Sequence, residues 1–181
     1  MLCWGGMKVV LFDRDGTLIV DPPDLRVDKI DKIQLFPDTI EALKLLANAG
    51  FSIIMITNQA GIAENLLTTA EFVTLNDKVK ELLAPSGIQI LNTYMCPHDD
   101  KDGCDCRKPK PKLLLDAISE FGLTANECFM VGDRQTDILA GMAAGTKTIL
   151  VETANTLVSS AEATFTAAHL LDAVQIILAN G

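Results

Sequence analysis

The sequence predicts an α/β domain in which a parallel β-sheet is flanked by helices. Short apolar and β-branched runs alternate with segments of helical periodicity along the chain, a pattern typical of parallel sheets. No repeat, low-complexity tract or linker divides the 181 residues, of which 49% are hydrophobic and 22% charged. A chain of this length and composition can bury one hydrophobic core, so we expect a single domain over residues 1–181.

The first half of the chain is expected to supply two strands and two helices. Residues 8–12 are an apolar run after one lysine and predict a buried strand, and residues 52–56 predict a second. Residues 37–49 place apolar side chains at helical spacing, begin with proline and are followed by Gly50, as helices favour at their two ends. Residues 69–83 form another amphipathic helix, which ends before a proline and a glycine.

The second half repeats this alternation and ends in a helix. Strands are predicted at residues 89–94, 128–131 and 147–151. Helices are predicted at residues 111–121 and 136–144, and residues 164–178 are expected to hold a short extended stretch and a last helix. Two irregular segments, residues 16–32 and 96–110, interrupt the pattern. Long irregular segments in compact domains are usually functional, and ligands bind beyond the carboxyl ends of parallel strands.

The formal charge of −9 argues against non-specific nucleic-acid binding, because such binding depends on basic surface. No apolar run is long enough to span a bilayer. Residues 2–6 are apolar but lack the basic and long hydrophobic regions of a signal peptide, and Met7 is an alternative start that would make residues 1–6 an extension. We therefore expect a cytoplasmic protein with neither nucleic-acid nor membrane partners.

Acidic residues follow two of the predicted strands. Asp13 and Asp15 come directly after the first strand, and Asp133 and Asp137 follow the fourth. The carboxyl ends of parallel strands share one edge of the sheet, where two acidic clusters would repel each other without a cation between them. Carboxylate oxygens suit Mg²⁺. A turn rich in Asp and Gly is the alternative interpretation of the first cluster taken alone.

Polar and basic residues follow the second and third strands. Thr57 and Asn58 offer a hydroxyl and an amide to a phosphoryl oxygen, and Arg107 and Lys108 offer cationic side chains. Taken alone, the first pair is typical of a turn and the second of a solvated face. Opposite four aspartates in an acidic chain, they are better interpreted as a phosphate clamp, since carboxylate attack on a phosphate dianion needs charge compensation.

These residues resemble the four motifs of the haloacid dehalogenase (HAD) superfamily, in order and after successive strands. The matching segments are Asp13-x-Asp15-Gly16-Thr17, Thr57-Asn58, Lys108 and Gly132-Asp133-x-x-x-Asp137. The resemblance implies a Rossmann-like core and hydrolysis of a phosphate monoester through an aspartyl-phosphate. A mutase would need a larger cap domain than residues 16–36 can form, and a non-catalytic binding module would not need a competent residue at every motif position.

The resemblance also implies a role for each matching residue. Asp13 is the expected nucleophile, and Asp15 is the general acid/base that protonates the leaving oxygen and then activates water. The residues expected to bind the phosphoryl group or the substrate are Thr57, Asn58, Arg107 and Lys108. The expected Mg²⁺ ligands are Asp13, the backbone carbonyl of Asp15, and Asp133. Asp137 is expected to orient the water shell of the metal or Lys108.

Three cysteines and a histidine crowd into the irregular segment 96–110. They supply three thiolates and one imidazole, in the order Cys96, His98, Cys104 and Cys106. This ligand set suits a tetrahedral structural Zn²⁺. Because four protein ligands leave no open coordination position, the metal is expected to fix the loop and the basic pair that follows it.

The zinc loop, joined to Cys-Arg-Lys-Pro, resembles one branch of the superfamily over residues 8–150. This branch contains the histidinol-phosphate phosphatases and the D,D-heptose 1,7-bisphosphate phosphatases. The segments that resemble the histidinol-phosphate enzymes are residues 18–23, 27–32, 107–110 and 132–138. The segments that resemble the heptose enzymes are residues 58–63, Pro111 and residues 151–178.

The acidic side chains of the irregular segments favour the first of these two substrates. They would suit the cationic end of histidinol phosphate, although a solvated acidic loop explains them equally well. These residues are Asp21, Asp24, Asp28, Asp99, Asp100 and Asp102. We therefore expect a monomeric, capless phosphatase of a small phosphorylated metabolite, with histidinol phosphate as the substrate and D-glycero-D-manno-heptose 1,7-bisphosphate as the alternative.

Overall fold

The computed structural model describes residues 7–153 and 162–181, so the candidate extension over residues 1–6 lies outside the described residues. A sheet of six parallel strands forms its centre. The strands are β1 (Lys8–Phe12), β2 (Phe51–Asn58), β3 (Ile90–Cys96), β4 (Phe129–Gly132), β5 (Lys147–Val151) and β6 (Phe165–Ala167). Their order across the sheet is β3-β2-β1-β4-β5-β6. The predicted α/β class is confirmed, and the expected extended stretch near the end of the chain is a sixth strand.

Helices cover both faces of the sheet. They are α1 (Thr39–Asn48), α2 (Ala60–Ala63), α3 (Thr69–Leu83), α4 (Lys112–Glu120), α5 (Gln135–Ala144) and α6 (Leu170–Asn180). Successive side chains of a strand point to opposite faces, so β1 contributes to two cores. Val10 and Phe12 pack with residues of α1 and α6, whereas Val9 and Leu11 pack with residues of α4 and α5. Burial on both faces explains why β1 is a nearly continuous apolar run.

Two strands run further than the sequence predicts. Both β2 and β3 continue for two residues beyond their predicted ends, because their ladder extends through the pairs Thr57↔Met95 and Asn58↔Cys96. Thr57 is a residue type enriched in strands, and pairing with the neighbouring strand outweighs the turn preference of Asn58. Thr57, Asn58 and Cys96 are therefore held by the sheet itself. β1, α3 and β5 have their predicted bounds, and the remaining predicted elements differ from the observed ones by one or two residues at their ends. The four-residue helix α2 was not expected.

The segment between β1 and α1 is too short and irregular to be a large cap. Among the described residues it holds one 3₁₀ turn, Ile30–Lys32, and the isolated bridges of Ile19 to Asp15 and Leu35. The edge of the sheet beyond the strand ends therefore stays open to a substrate. Of the helices in residues 7–153 and 162–181, none has both the length and the apolar character that a bilayer crossing requires.

Candidate active site

Three neighbouring strands bring the predicted residues to one edge of the sheet. In the order β2, β1 and β4, these strands carry Thr57, Asp13 and Asp133 at or just after their carboxyl ends. A cavity of about 480 Å³ opens at this edge. Its lining includes these predicted site residues: Asp13, Asp15, Thr57, Asn58, Arg107, Lys108 and Asp137. The side chain of Asp133 is fully buried and lies close to that of Asp13.

Lys108 contacts the predicted nucleophile directly. Its Nζ donates to Oδ1 of Asp13 at 2.7 Å and to the carbonyl oxygen of Ile56 at 2.7 Å, and it forms an ion pair with Oδ1 of Asp137 at 2.6 Å. Burial by itself lowers the pKa of this lysine, but the carboxylates of Asp13 and Asp137 outweigh it and raise the pKa of Lys108 above its ordinary value. The ammonium therefore stays charged, and its three N–H bonds are directed to protein oxygens.

Three buried aspartates lie together at this edge: Lys108 contacts Asp13 and Asp137, and Nε of Arg134 lies 3.9 Å from Oδ2 of Asp133. Carboxylate oxygens of Asp13, Asp133 and Asp137 lie within 4.8 Å of one another. Burial raises the pKa of Asp13 well above its ordinary value, an effect that Lys108 opposes and the other two aspartates increase. Burial and the neighbouring Asp137 raise the pKa of Asp133 to about 7. The cluster is short of positive charge, and its hard oxygen donors suit a divalent cation such as Mg²⁺.

Two glycines make room for these carboxylates. A Cβ atom at Gly16 would lie 2.4 Å from Oδ2 of Asp133, and one at Gly132 would lie 2.4 Å from atoms of Asp137. Gly16 also has a φ of +84°, a conformation that favours glycine. The residues present therefore fit the predicted Mg²⁺ site. Asp15 adds no carboxylate to the cluster, and its contribution through the backbone carbonyl stays a prediction.

The carboxylate of Asp15 is held by two residues that the sequence analysis does not assign. Arg14 donates from Nε to Oδ1 and from Nη2 to Oδ2, both at 2.9 Å, and Gln59 donates from Nε2 to Oδ2 at 2.7 Å. The guanidinium of Arg14 is fully buried and stacks 4.9 Å from the ring centre of Phe72. An arginine between two aspartates at the end of an apolar strand is the signal that could have identified it.

Thr57 and Asn58 differ in what they contact. Oγ1 of Thr57 accepts a hydrogen bond from Nε2 of Gln59 at 2.9 Å. Asn58 instead binds the backbone of Lys108 in both directions: its Nδ2 donates to the carbonyl oxygen at 3.0 Å, and its Oδ1 accepts from the amide N–H at 3.1 Å. Asn58 lines the cavity as expected, but these two bonds make it an anchor for the lysine.

The predicted zinc ligands form one cluster beside β3. The Sγ atoms of Cys96, Cys104 and Cys106 lie 2.9 to 3.6 Å apart, and Nδ1 of His98 lies 3.2 Å from Cys106 and 3.7 Å from Cys96. These sulfur separations exceed the roughly 2.05 Å of a disulfide bond. A tetrahedron of sulfurs about 2.3 Å from Zn²⁺ has edges of about 3.8 Å, close to most of these distances. The donor set and its spacing therefore fit a structural zinc.

The loop that carries the zinc ligands also holds Arg107. Its Nε forms an ion pair with Asp100, and its Nη1 donates to the carbonyl oxygen of His98 at 3.2 Å. Two further arginines line the cavity and were not assigned from the sequence. Arg26 pairs with Glu64 at 2.7 Å, and Arg134 pairs with Asp21 at 2.9 Å. Three arginines therefore surround the opening, each beside an acidic partner.

A family model described as HAD-hydrolase-like matches residues 105–175. The D-glycero-beta-D-manno-heptose-1,7-bisphosphate 7-phosphatase of Pasteurella multocida is 40% identical over 153 residues, which cover 81% of this chain and 82% of that protein. The chain belongs to the HAD family of phosphatases. This membership confirms the resemblance found in the sequence, the fold and the enzyme class, a phosphoric monoester hydrolase.

Other relatives of this HAD phosphatase bear on the substrate. The crystal structure of D,D-heptose 1,7-bisphosphate phosphatase from B. bronchiseptica, complexed with magnesium and phosphate, superposes with a TM-score of 0.90 and 31% identity, covering 97% of this chain and 100% of that one. The histidine biosynthesis bifunctional protein HisB of Legionella pneumophila is 40% identical over 132 residues, which cover 72% of this chain but 38% of that protein. The comparisons favour the heptose alternative over our first expectation of histidinol phosphate.

Contacts within the structure bear on the charge argument for histidinol phosphate. Most of the aspartates expected to attract a cationic substrate are occupied by partners within the protein. Asp24 and Asp28 both pair with Lys32, at 2.6 and 2.7 Å. The remaining ones are Asp21 with Arg134, Asp100 with Arg107, and Asp99 and Asp102, which cap the 3₁₀ turn of the zinc loop. Their charge is therefore already paired with protein groups in the absence of a ligand.

Proposed function

We propose that this HAD phosphatase is a D-glycero-D-manno-heptose 1,7-bisphosphate 7-phosphatase that works through an aspartyl-phosphate on Asp13. The observation that supports the chemistry is the contact of Lys108 with Oδ1 of Asp13, beside the buried carboxylates of Asp133 and Asp137. The substrate assignment rests on the likeness to heptose bisphosphate phosphatases along nearly the whole chain.

The nucleophile is prepared before the substrate arrives. Lys108 binds Oδ1 of Asp13, which leaves Oδ2 as the oxygen for in-line attack on phosphorus. Asp137 fixes Lys108 from the other side. Bound Mg²⁺, held by Asp13, Asp133 and the backbone carbonyl of Asp15, would neutralise charge on the phosphoryl oxygens. The Thr57 hydroxyl lines the cavity and would donate to one of those oxygens.

Asp15 transfers protons in both halves of the reaction. When the bond between phosphorus and the leaving oxygen breaks, Asp15 gives its proton to that oxygen and the sugar departs as an alcohol. In the second half, Asp15 removes a proton from water while the water oxygen attacks phosphorus. The bond to Asp13 then breaks, and inorganic phosphate leaves. The open cavity admits water at this stage, since the segment between β1 and α1 is too short to form a large cap over it.

The bisphosphate proposal is also consistent with the charges around the opening. Arg26, Arg107 and Arg134 line the cavity. The carboxylate partner of Arg107, Asp100, is exposed, so this arginine can exchange it for a phosphate oxygen. The zinc cluster would serve as a structural support for Arg107. That the enzyme acts as a monomer in the cytoplasm, without nucleic-acid or membrane partners, stays a prediction.

The test is a comparison of kcat/KM for the two substrates on purified protein with Mg²⁺. We expect the heptose bisphosphate to exceed histidinol phosphate by more than about tenfold, which corresponds to about 1.4 kcal/mol of transition-state stabilisation. Asp13→Asn should abolish both activities, and release of phosphate from the 7-position should be visible by ³¹P NMR. A higher kcat/KM for histidinol phosphate would refute the substrate assignment while leaving the phosphatase intact.

A further inference from the structure

Gln59 is a buried polar residue of the active-site cavity that the mechanism above does not use. It follows Asn58 at the end of β2, and its backbone N–H donates to the carbonyl oxygen of Cys96 at 2.8 Å. Its side chain is buried and lines the cavity. One nitrogen, Nε2, lies 2.7 Å from Oδ2 of Asp15 and 2.9 Å from Oγ1 of Thr57. The two N–H bonds of this amide therefore reach the expected acid/base and the expected phosphoryl-binding hydroxyl.

The chemistry of the partners fixes the orientation of the amide. Oδ2 of Asp15 acts as an acceptor, since it already takes a hydrogen bond from Nη2 of Arg14, and an amide oxygen facing it would offer no donor; Nε2 rather than Oε1 therefore faces Asp15. The hydroxyl of Thr57 accepts the second N–H bond, and its own hydrogen is then available to donate elsewhere. Gln59 thus holds Thr57 in the state that can donate to a phosphoryl oxygen.

The hydrogen bonds to Asp15 are unequal at its two oxygens. Oδ2 accepts from both Gln59 and Nη2 of Arg14, whereas Oδ1 accepts from Nε of Arg14 alone. A carboxylate oxygen with two donors has little remaining capacity for a proton, while Oδ1 keeps an open lone pair. The bonds to Oδ2 therefore direct proton transfer to Oδ1.

We propose that Gln59 is a positioning residue, which aims the Asp15 carboxylate so that Oδ1 delivers the proton to the leaving oxygen. Arg14 provides the other side of this support from beneath the ring of Phe72. This inference rests on the proposed role of Asp15 in phosphate-ester hydrolysis. Loss of Gln59 should slow the reaction most where the leaving group needs a proton.

The test compares two aryl phosphates that differ in this need. p-Nitrophenolate is a weakly basic anion and leaves without a proton, whereas phenolate has the basicity of a tyrosine side chain, with a pKa of about 10. The variant Gln59→Leu removes both N–H donors at similar size, and Gln59→Met provides a second, more flexible replacement. We expect kcat/KM for phenyl phosphate to fall at least about tenfold further than for p-nitrophenyl phosphate in both variants, since general acid catalysis contributes roughly 10²- to 10⁴-fold.

Asn76→Leu is a matched control, because it also removes a buried amide side chain. The amide of Asn76 donates to Oγ1 of Thr93 at 3.1 Å, away from the active-site cavity. This variant should lower the melting temperature without changing the ratio of the two kcat/KM values. Equal losses on the two esters in the Gln59 variants would overturn the proposal, because a merely structural role predicts no dependence on the leaving group. Absence of turnover by the wild-type protein would instead overturn the proposed function, and this inference with it.

Discussion

Replacing Gly132 by alanine tests whether the close packing of Asp137 against the end of β4 is what holds Lys108 in place. A Cβ at this position would lie 2.4 Å from Cβ, Cγ and Oδ2 of Asp137, where ordinary contact begins at 3.4 Å. Asp137 would have to withdraw by about 1 Å, and its ion pair with Lys108 would lengthen from 2.6 Å to about 3.6 Å, beyond hydrogen-bond range. Lys108 would then lose one of the contacts that place it against Asp13.

This displacement is expected to lower both the stability of the protein and the rate of the reaction. Overpacking of a buried site costs about 1–3 kcal/mol, which lowers the melting temperature of a domain of this size by roughly 2–12 °C. Misplacing a catalytic group by about 1 Å can cost on the order of 100-fold in rate. We therefore expect Gly132→Ala to remain folded, to melt a few degrees lower, and to lose on the order of 100-fold in kcat for p-nitrophenyl phosphate.

The assay is thermal unfolding by circular dichroism together with steady-state kinetics. The matched control is Gly61→Ala, since a Cβ there would meet only Cβ of Leu67 at 3.9 Å, an ordinary contact, and the melting temperature should stay within about 2 °C of the wild type. A Gly132→Ala protein with wild-type kcat and melting temperature would refute the reasoning. It would mean that Asp137 can move without moving Lys108.

Three further predictions concern charge and metal. Asp13→Asn should abolish turnover, because the amide cannot act as the nucleophile. The variant should melt at or above the wild-type temperature, because burial raises the pKa of Asp13 and makes its ionised form costly in the fold. Hydrolysis of p-nitrophenyl phosphate at more than about a hundredth of the wild-type rate would contradict the nucleophile assignment. Cys104→Ser should lower the zinc content, measured by plasma mass spectrometry, because the site loses a ligand. It should also lower the affinity for inorganic phosphate, because the loop that holds Arg107 is no longer fixed by the metal. Wild-type protein that is purified without zinc would exclude the metal. The pKa of Asp133 in the folded protein is about 7, above its ordinary 3.8, so its contribution to the stability of the metal-free protein is greatest at low pH and is lost as the pH rises through 7. Added Mg²⁺ should therefore raise the melting temperature more at about pH 8 than at about pH 5.5. Equal shifts at the two pH values would argue against this metal site.

Most of the fold could be predicted because its signals are local. The apolar run of β1 and the bounded helical pattern of α3 each depend on a few consecutive residues, and the structure places both where the sequence predicts them. The last residues of β2 and β3 could not be predicted in this way. Asn58 has a turn preference, and only pairing with a strand that begins more than thirty residues later keeps it extended.

The candidate site also contains residues that the sequence predicts and residues that it does not. The sequence predicts the aspartates, the lysine and the zinc ligands from their type and spacing, and the structure brings them together in two clusters. Arg14 and Gln59 were not predicted, since their importance depends on where a side chain ends in three dimensions. The partners of the acidic loop residues could not be predicted for the same reason. The composition of residues 16–32 is acidic, but ion pairs such as that of Asp24 with Lys32 determine what a ligand would meet.

The reciprocal amide contact between Asn58 and Lys108 has an evolutionary consequence. It ties the reacting lysine to the sheet, so that its position does not depend on the length or charge of the segment between His98 and Cys104. Substitutions in that segment therefore leave the lysine fixed to the end of β2, so evolution can alter the wall of the opening without altering the position of the ammonium.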